Sequence, residues 1–504
     1  MALLGAQLVV TLVTVSIIQK LSPHYSFSRW LLCSTGLIRY LYPSNDELRQ
    51  LAGVPKEKTK SKRNNKDKKY DRNGVGGGGE QFSQTKETFH VPKNINLELQ
   101  SAKITSLDVV HLRYYPEYQW LLDYALYSLV VYILTEVYSS FIPLDHEINL
   151  SMLWCLVVQC FTLKILFTLT LEYFKGEESV GERSTVIVTG FAYLVIAMMV
   201  LIVDETKLET GLHSAYTSFN ASAATFLHNQ GLNSEGPASK IIINFCIAIW
   251  CALIGALFTF PGLRMARMHW DSLKYCGDRI LLKVLLNISF ITPFVLMILW
   301  IKPVARYYLT IRVFSGMDAP LLTETGFDSV RLVLIVVLIV QRLALMPIYL
   351  QAYLNMAYAR IEEQRTEAGR ITNVELQKKI AAVFYYLCVV TLQYVAPLLM
   401  CLFFTLMYKS LGDYSWLGML DNSDKCSINS TTSPPIIIQE DKSLPLSDVP
   451  ETQPMTLALD SLKLIFTTDV FRGIFGFATW WVSFAWFASS ALGMVYLKYF
   501  ATSK

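Results

Sequence analysis

The feature that most constrains this chain is a repeated one. Nine stretches of about 20 apolar residues recur along it, each long enough to cross ~30 Å of hydrocarbon as a helix at 1.5 Å per residue. They are Ala2–Ile18, Gln119–Tyr138, Asn149–Leu171, Ser184–Val203, Ile241–Phe260, Ile280–Ile301, Ser329–Leu350, Ala381–Tyr408 and Gly473–Leu497. In lipid every backbone polar group must be satisfied internally, so runs of this kind fold as helices. A β-barrel would alternate polar and apolar residues over short segments, and these runs are uniformly apolar. Composition agrees, with 53% hydrophobic and only 17% charged residues among 504, against about a quarter charged in soluble domains. The expected fold class is all-α, a polytopic membrane helical bundle of about nine transmembrane helices, or eight if the first is a cleaved signal. No soluble domain separates the spans.

The first span reads either as an anchor or as a signal peptide. Nothing basic precedes it, and the first positive side chain, Lys20, follows it. That asymmetry favours an uncleaved anchor (residues 1–19) with its N-terminus outside. Placing residues 20–118 in the cytosol puts 30 of the 44 Lys and Arg residues on the cytosolic side and 10 on the other, with four inside spans. The C-terminus is then cytosolic. The sequons at Asn220 and Asn429 fall on the outer side and are the candidate N-glycosylation sites, Asn429 the better one because it lies in a long loop.

The cytosolic segment 20–118 divides further. Residues 23–42 mix aromatic, aliphatic and basic side chains and suit the membrane surface. Ser44 and Glu47 have capping-box spacing and Gly53 is a natural stop, so a short helix is expected between them. The run "KEKTKSKRNNKDKKYDRNGVGGGGE" is basic and glycine-rich and cannot build a core, so it is expected to be a disordered linker. Such a tract is either a solvated spacer or a contact for anionic lipid; with no ordered reader beside it, nucleic acid is not an expected partner. Within the membrane core of seven helices, 119–408, residues 351–380 read as a cytosolic helical hairpin that restarts at Thr372 and Glu375. An irregular Pro- and Ser/Thr-rich outer loop spans 409–472, and 473–504 holds the last helix and a short tail.

Chemistry is sparse. The seven histidines all lie outside the span interiors, no CxxC pair occurs, and no HExxH, Walker A or GxSxG motif is present. No cofactor or metal is therefore expected, and the chain reads as a non-enzyme. What remains is charge inside spans. Lys164 lies 15 residues into the third span, ~22 Å along its axis, where an unpaired charge costs several kcal/mol. Asp123 is on the neighbouring span at similar depth, and Arg342 on the seventh; Glu136 and Arg331 share a second level near the outer ends. These five form the candidate intramembrane charge network, with Asp123 as the expected partner of Lys164. The alternative is that Lys164 reaches to the headgroups along its stem.

Several segments resemble the transmembrane protein 161 family: "GAQLVVTLVTVSIIQKLSPHYSFSRWLLC" near the N-terminus, "YPEYQWLLD" at Tyr115, "GERS" at Gly181, "FTFPGLRMA" at Phe258, "EAGRITNVELQ" at Glu367, "LQYVAPL" at Leu392 and "FRGIFGFATWW" at Phe471. The resemblance implies a multi-pass protein without assigned catalytic residues. It also implies a role in membrane excitability, namely restraint of potassium and calcium currents with effects on heart rhythm, and in tolerance of oxidative stress. The expected partners are the lipid bilayer and ion channels or other membrane proteins. Plasma membrane and endomembrane both stay open, as do a transporter or channel using the charge network and a structural or stress-response protein of internal membranes.

Overall fold

The computed structural model describes residues 6–21, 24–53, 88–92, 97–141, 149–175, 180–229, 239–316, 319–366, 371–416, 418 and 465–501. The basic linker, most of the outer loop with Asn429, and the end of the hairpin at 367–370 lie outside them.

Eight described helices are long and apolar enough to cross a membrane. They include α5 (Tyr115–Phe141), α6 (Leu150–Lys175), α7 (Val180–Ile202), α9 (Lys240–Tyr275), α10 (Ile280–Ile298), α11 (Glu324–Leu354) and α14 (Leu387–Leu411). The eighth is the C-terminal helix, Thr468–Tyr496. A shorter apolar helix, α1 (Ala6–Leu21), packs against α5 and α6. The fold is thus an all-α polytopic bundle.

At the centre stands α14. Every residue from Leu387 to Tyr408 is buried. A helix that is apolar on all faces has no solvent or lipid side, and belongs in the middle of a large bundle. The C-terminal helix, α6, α11, α9 and α5 surround it. The C-terminal helix packs closely along α9 because the contact is made of small residues. A Cβ on Gly262 would come within 2.4 Å of Ser489, and one on Gly493 within 2.7 Å of Ala266. Spacing of this kind lets two backbones approach in lipid, where dispersion contacts rather than the hydrophobic effect hold helices together. Trp481 adds a hydrogen bond across the same seam, Nε1 donating to the Cys251 carbonyl at 3.0 Å.

One end of the bundle carries a small ordered cap. It holds α2 (Phe27–Cys33), α3 (Asn45–Ala52), α4 (Ser106–Val110), α12 (Met356–Thr366) and α13 (Asn373–Tyr385). Two short antiparallel pairs tie it together. Strand β1 (Ile38–Tyr40) pairs with β3 (Ser101–Lys103), and β2 (His90–Val91) with β4 (Ile371–Thr372). Local capping starts three of these helices. Ser44 and Glu47 form a capping box on α3, which ends at Gly53 with φ +67, the left-handed conformation that favours glycine. Thr372 and Glu375 do the same for α13, and Thr105 with Asp108 for α4. Although burial acts to raise it, the Asp108 carboxyl is held below the usual carboxylate range by hydrogen bonds from Thr105 and by Arg39, 2.9 Å away. Gln351 on α11 clamps the cap to the bundle, since its side chain bonds both the amide and the carbonyl of Ile38.

The opposite end has its own helix, α8 (Leu212–Asn229), which lies against the start of the C-terminal helix through Gly211 and Gly473. Asn220 sits half-buried on this helix.

Candidate functional site

The five charges singled out in the spans separate into four structural situations. The first is Asp123, which is buried on α5. Its partner is the start of α2 rather than Lys164. Ser26 caps α2 and donates from Oγ to Asp123 Oδ2 at 2.7 Å, and the Ser28 amide donates to Oδ1 at 2.9 Å. Tyr118, one turn back on α5, donates to the Ser28 carbonyl at 2.9 Å. A carboxylate at a helix N-terminus satisfies amides that the helix leaves open and sits at its positive end. Asp123 is thus an N-terminal cap supplied by a different helix.

The expected pairing with Lys164 does not form. Lys164 lies on the outward face of α6, exposed along with Phe161 and Thr168, while Asp123 faces inward. The two share depth but not direction. Lys164 lines a groove of about 510 Å³ between α5 and α6 together with Glu117, Trp120 and Tyr124. Its long stem runs along apolar surface there, as lysines near membrane boundaries do.

Arg331 and Glu136 flank the far end of α14, bound between them to three consecutive residues, Tyr408, Lys409 and Ser410. Glu136 pairs with Lys409 and accepts from Ser410 at 3.3 Å. Arg331 donates to the Tyr408 hydroxyl at 2.7 Å and to Asp328 at 2.9 Å, with Glu209 Oε1 3.3 Å from its second terminal nitrogen. Arg306 bridges the same two carboxylates, at 2.9 Å to Glu209 and 2.6 Å to Asp328. The set holds two guanidiniums and two carboxylates, so its formal charge is zero. Arg331 is fully buried, and its guanidinium lies 4.7 Å from the Trp300 ring centroid. Glu209 comes from the connection between α7 and α8, a segment the sequence offered no reason to bring here. The Leu208–Ile301 bridge fixes it against the end of α10.

Arg342 is different. It is 1% exposed, and among the described residues it forms no ion pair. Its Nε donates to the Ser289 carbonyl at 2.8 Å, and the guanidinium stacks 4.5 Å from the centroid of Trp486. The reason for that carbonyl is Pro293, inside α10 four residues on. Proline has no N–H, so the carbonyl four residues before it loses its helical donor. Arg342 supplies the missing donor from α11. Among the described residues, one terminal nitrogen of Arg342 and the Ser289 hydroxyl have no hydrogen-bond partner.

These arrangements are what buried charges in lipid require: neutralised clusters, helix caps and vacated carbonyls. Asp123, Arg331 and Arg342 act on separate helix junctions and do not form one continuous network. No solved structure matches the chain. The family model described as "Predicted transmembrane protein 161AB" matches residues 2–501, so the chain belongs to that transmembrane protein 161 family and is an integral membrane protein.

Proposed function

We propose that the protein is a non-catalytic regulator of membrane ion currents, restraining potassium and calcium currents, and through them excitability, by contact with channel proteins rather than by conducting ions itself. The physiological part of this reading, including heart rhythm, rests on the family resemblance. The observation that carries the non-conducting part is α14. Its 22 consecutive buried residues, Leu387–Tyr408, occupy the axis along which a helical bundle would otherwise hold a pore. The ionic groups at the far end of α14 are neutralised in place, which suits a rigid scaffold.

A second reading, transport, is favoured by one feature. The unpartnered terminal nitrogen of Arg342 and the Ser289 hydroxyl are buried polar atoms with capacity left over, as a substrate or ion site would have. One pair of measurements separates the two. Protein purified into liposomes should give no potassium, calcium or chloride flux above empty vesicles, while co-expression with a voltage-gated channel should lower its current density. Flux in liposomes that is lost on Arg342→Gln would replace the regulator with the transporter.

A further inference from the structure

The groove between α5 and α6, about 510 Å³ in volume, lies within the range of small-molecule sites, roughly 300–1,000 Å³. Two charged side chains line it, Glu117 from the first turn of α5 and Lys164 from α6, and both are exposed. They do not pair with each other, and among the described residues neither side chain has an ion pair or a hydrogen-bond partner. The walls are otherwise largely apolar and aromatic. Trp120 is 73% exposed, and Tyr124 and Phe161 line the deeper end with their rings edge-on, centroids 5.7 Å apart. An uncompensated charge facing lipid is costly, and this groove holds two of opposite sign.

The order of these groups along the bundle decides which ligand fits. At the cap end, Glu172 of α6 pairs with Arg113 and accepts from the Tyr114 hydroxyl at 3.3 Å, which fixes a common level for the two helices. From that level Glu117 lies three residues along α5, Trp120 six, and Lys164 eight residues back along α6, or ~4.5, ~9 and ~12 Å deeper at 1.5 Å per residue. The carboxylate is the shallow charge and the ammonium the deep one. A zwitterionic phospholipid carries the opposite signs in the same order, with its amine outermost, its phosphate beneath and its acyl chains deepest. The flexible four-carbon stem of Lys164 lets the ammonium meet a phosphate through a charge-assisted hydrogen bond. A primary ammonium has three donors to offer Glu117, whereas a trimethylated choline has no N–H. Trp120, between the two charged levels, presents a ring to the same cation. A phospholipid without an amine leaves Glu117 unpaired, and a sterol leaves both charges unpaired.

We propose that this groove binds phosphatidylethanolamine, with Lys164 on the phosphate and Glu117 on the ammonium of the headgroup. The full-length protein, stripped of lipid in detergent, should be titrated with short-chain phosphatidylethanolamine, phosphatidylcholine and phosphatidic acid, reading bound mass and thermal stability. Phosphatidylethanolamine should bind several-fold tighter than phosphatidylcholine. Lys164→Met should weaken phosphatidylethanolamine and phosphatidic acid alike, roughly tenfold, the loss of one hydrogen bond to a charged group. Glu117→Gln should weaken the ethanolamine lipid by a similar factor and leave phosphatidic acid as tight or tighter. Lys283→Met, on α10 and outside the groove, should change neither. Equal affinity for phosphatidylcholine and phosphatidylethanolamine would overturn the proposal, as would binding untouched by both groove variants. If those variants fail to fold, a photoreactive phosphatidylethanolamine on the unaltered protein decides. Adducts within 114–124 or 161–169 support the site, and adducts confined elsewhere reject it. A photoreactive side chain at Thr168, in the groove wall, asks the same question in cell membranes. Its cross-linking to this lipid supports the site, and its cross-linking to a second protein would show a partner covering the groove and reject it.

Discussion

The carboxylate of Asp123 accepts the backbone amide of Ser28 at 2.9 Å, so a residue in the second span caps a helix that lies before it in the chain. The consequence is a fixed entry angle for everything between α1 and α5. Asp123→Ala leaves the Ser28 amide unpaired in a buried site and takes one acceptor from the Ser26 hydroxyl, which keeps its contact with Ser28 Oγ at 2.8 Å. Hydrogen bonds to a charged group contribute roughly 1.5–3 kcal/mol each, so a clear drop in thermal stability in detergent is the expected result. Lys164→Met should be near neutral, because that ammonium faces outward. The double variant should lose the sum of the two single losses. A double variant more stable than Asp123→Ala alone would restore the ion pair that the geometry rules out.

At the other end, Arg331 is the buried member of a cluster whose charges cancel. Arg331→Met leaves Asp328 and Glu209 sharing Arg306 alone, with one negative charge uncompensated. Breaking a buried pair in this way costs roughly 3–5 kcal/mol. Arg331→Met with Asp328→Asn removes that excess charge and should recover part of the loss, seen as a higher melting temperature than the single variant. Equal or lower stability in the double variant would mean that Arg331 acts through its packing on Trp300 and Tyr408, not through charge.

The spans were legible because a twenty-residue apolar run has few other solutions in lipid. The boxes at Ser44 and Thr372 were legible because both partners lie within one turn. The cap was not. His90 pairs with Thr372 through two-residue strands with no hairpin turn between them, and Ile38 meets the side chain of Gln351 on α11, each across hundreds of residues. Counting residues along a helix yields depth, and Glu136 and Arg331, given one depth, lie on either side of Tyr408 and Lys409. Depth says nothing of azimuth, and Asp123 and Lys164 differ in azimuth. The partner of Asp123 is a backbone amide, which every residue but proline carries and no sequence pattern marks. Helix α8 went unread because its polar and small residues carry no long apolar run.

Sidedness is the property that charge distribution predicts and geometry leaves free. A cysteine at exposed Ser101 in the cap and another at exposed Arg312 at the opposite end should separate cleanly. With protein at the cell surface, an impermeant maleimide should label Arg312→Cys in intact cells above the level of the unaltered protein. Ser101→Cys should label only after permeabilisation. The glycan should agree with this, with Asn429→Gln abolishing the mobility shift and Asn220→Gln, half-buried in α8, leaving it. The reverse labelling pattern would invert the bundle.

The sharpest test concerns Arg342 and Pro293, two residues on different helices that share one carbonyl. Arg342 donates to the carbonyl that Pro293 deprives of its helical partner. If that is its work, the need for Arg342 disappears when α10 can complete its own ladder. Pro293→Ala restores an N–H four residues beyond Ser289. In the unaltered protein, Arg342→Met strips a buried carbonyl of its donor, an expensive state where no water reaches. In the Pro293→Ala background the same substitution should cost less, because the restored amide holds the carbonyl. Interhelical hydrogen bonds in bilayers contribute about 0.6–2 kcal/mol, so a coupling of that size should appear in a double-mutant cycle of detergent stability. Strictly additive losses would show that Arg342 is kept for another reason, and would return attention to its unpartnered nitrogen.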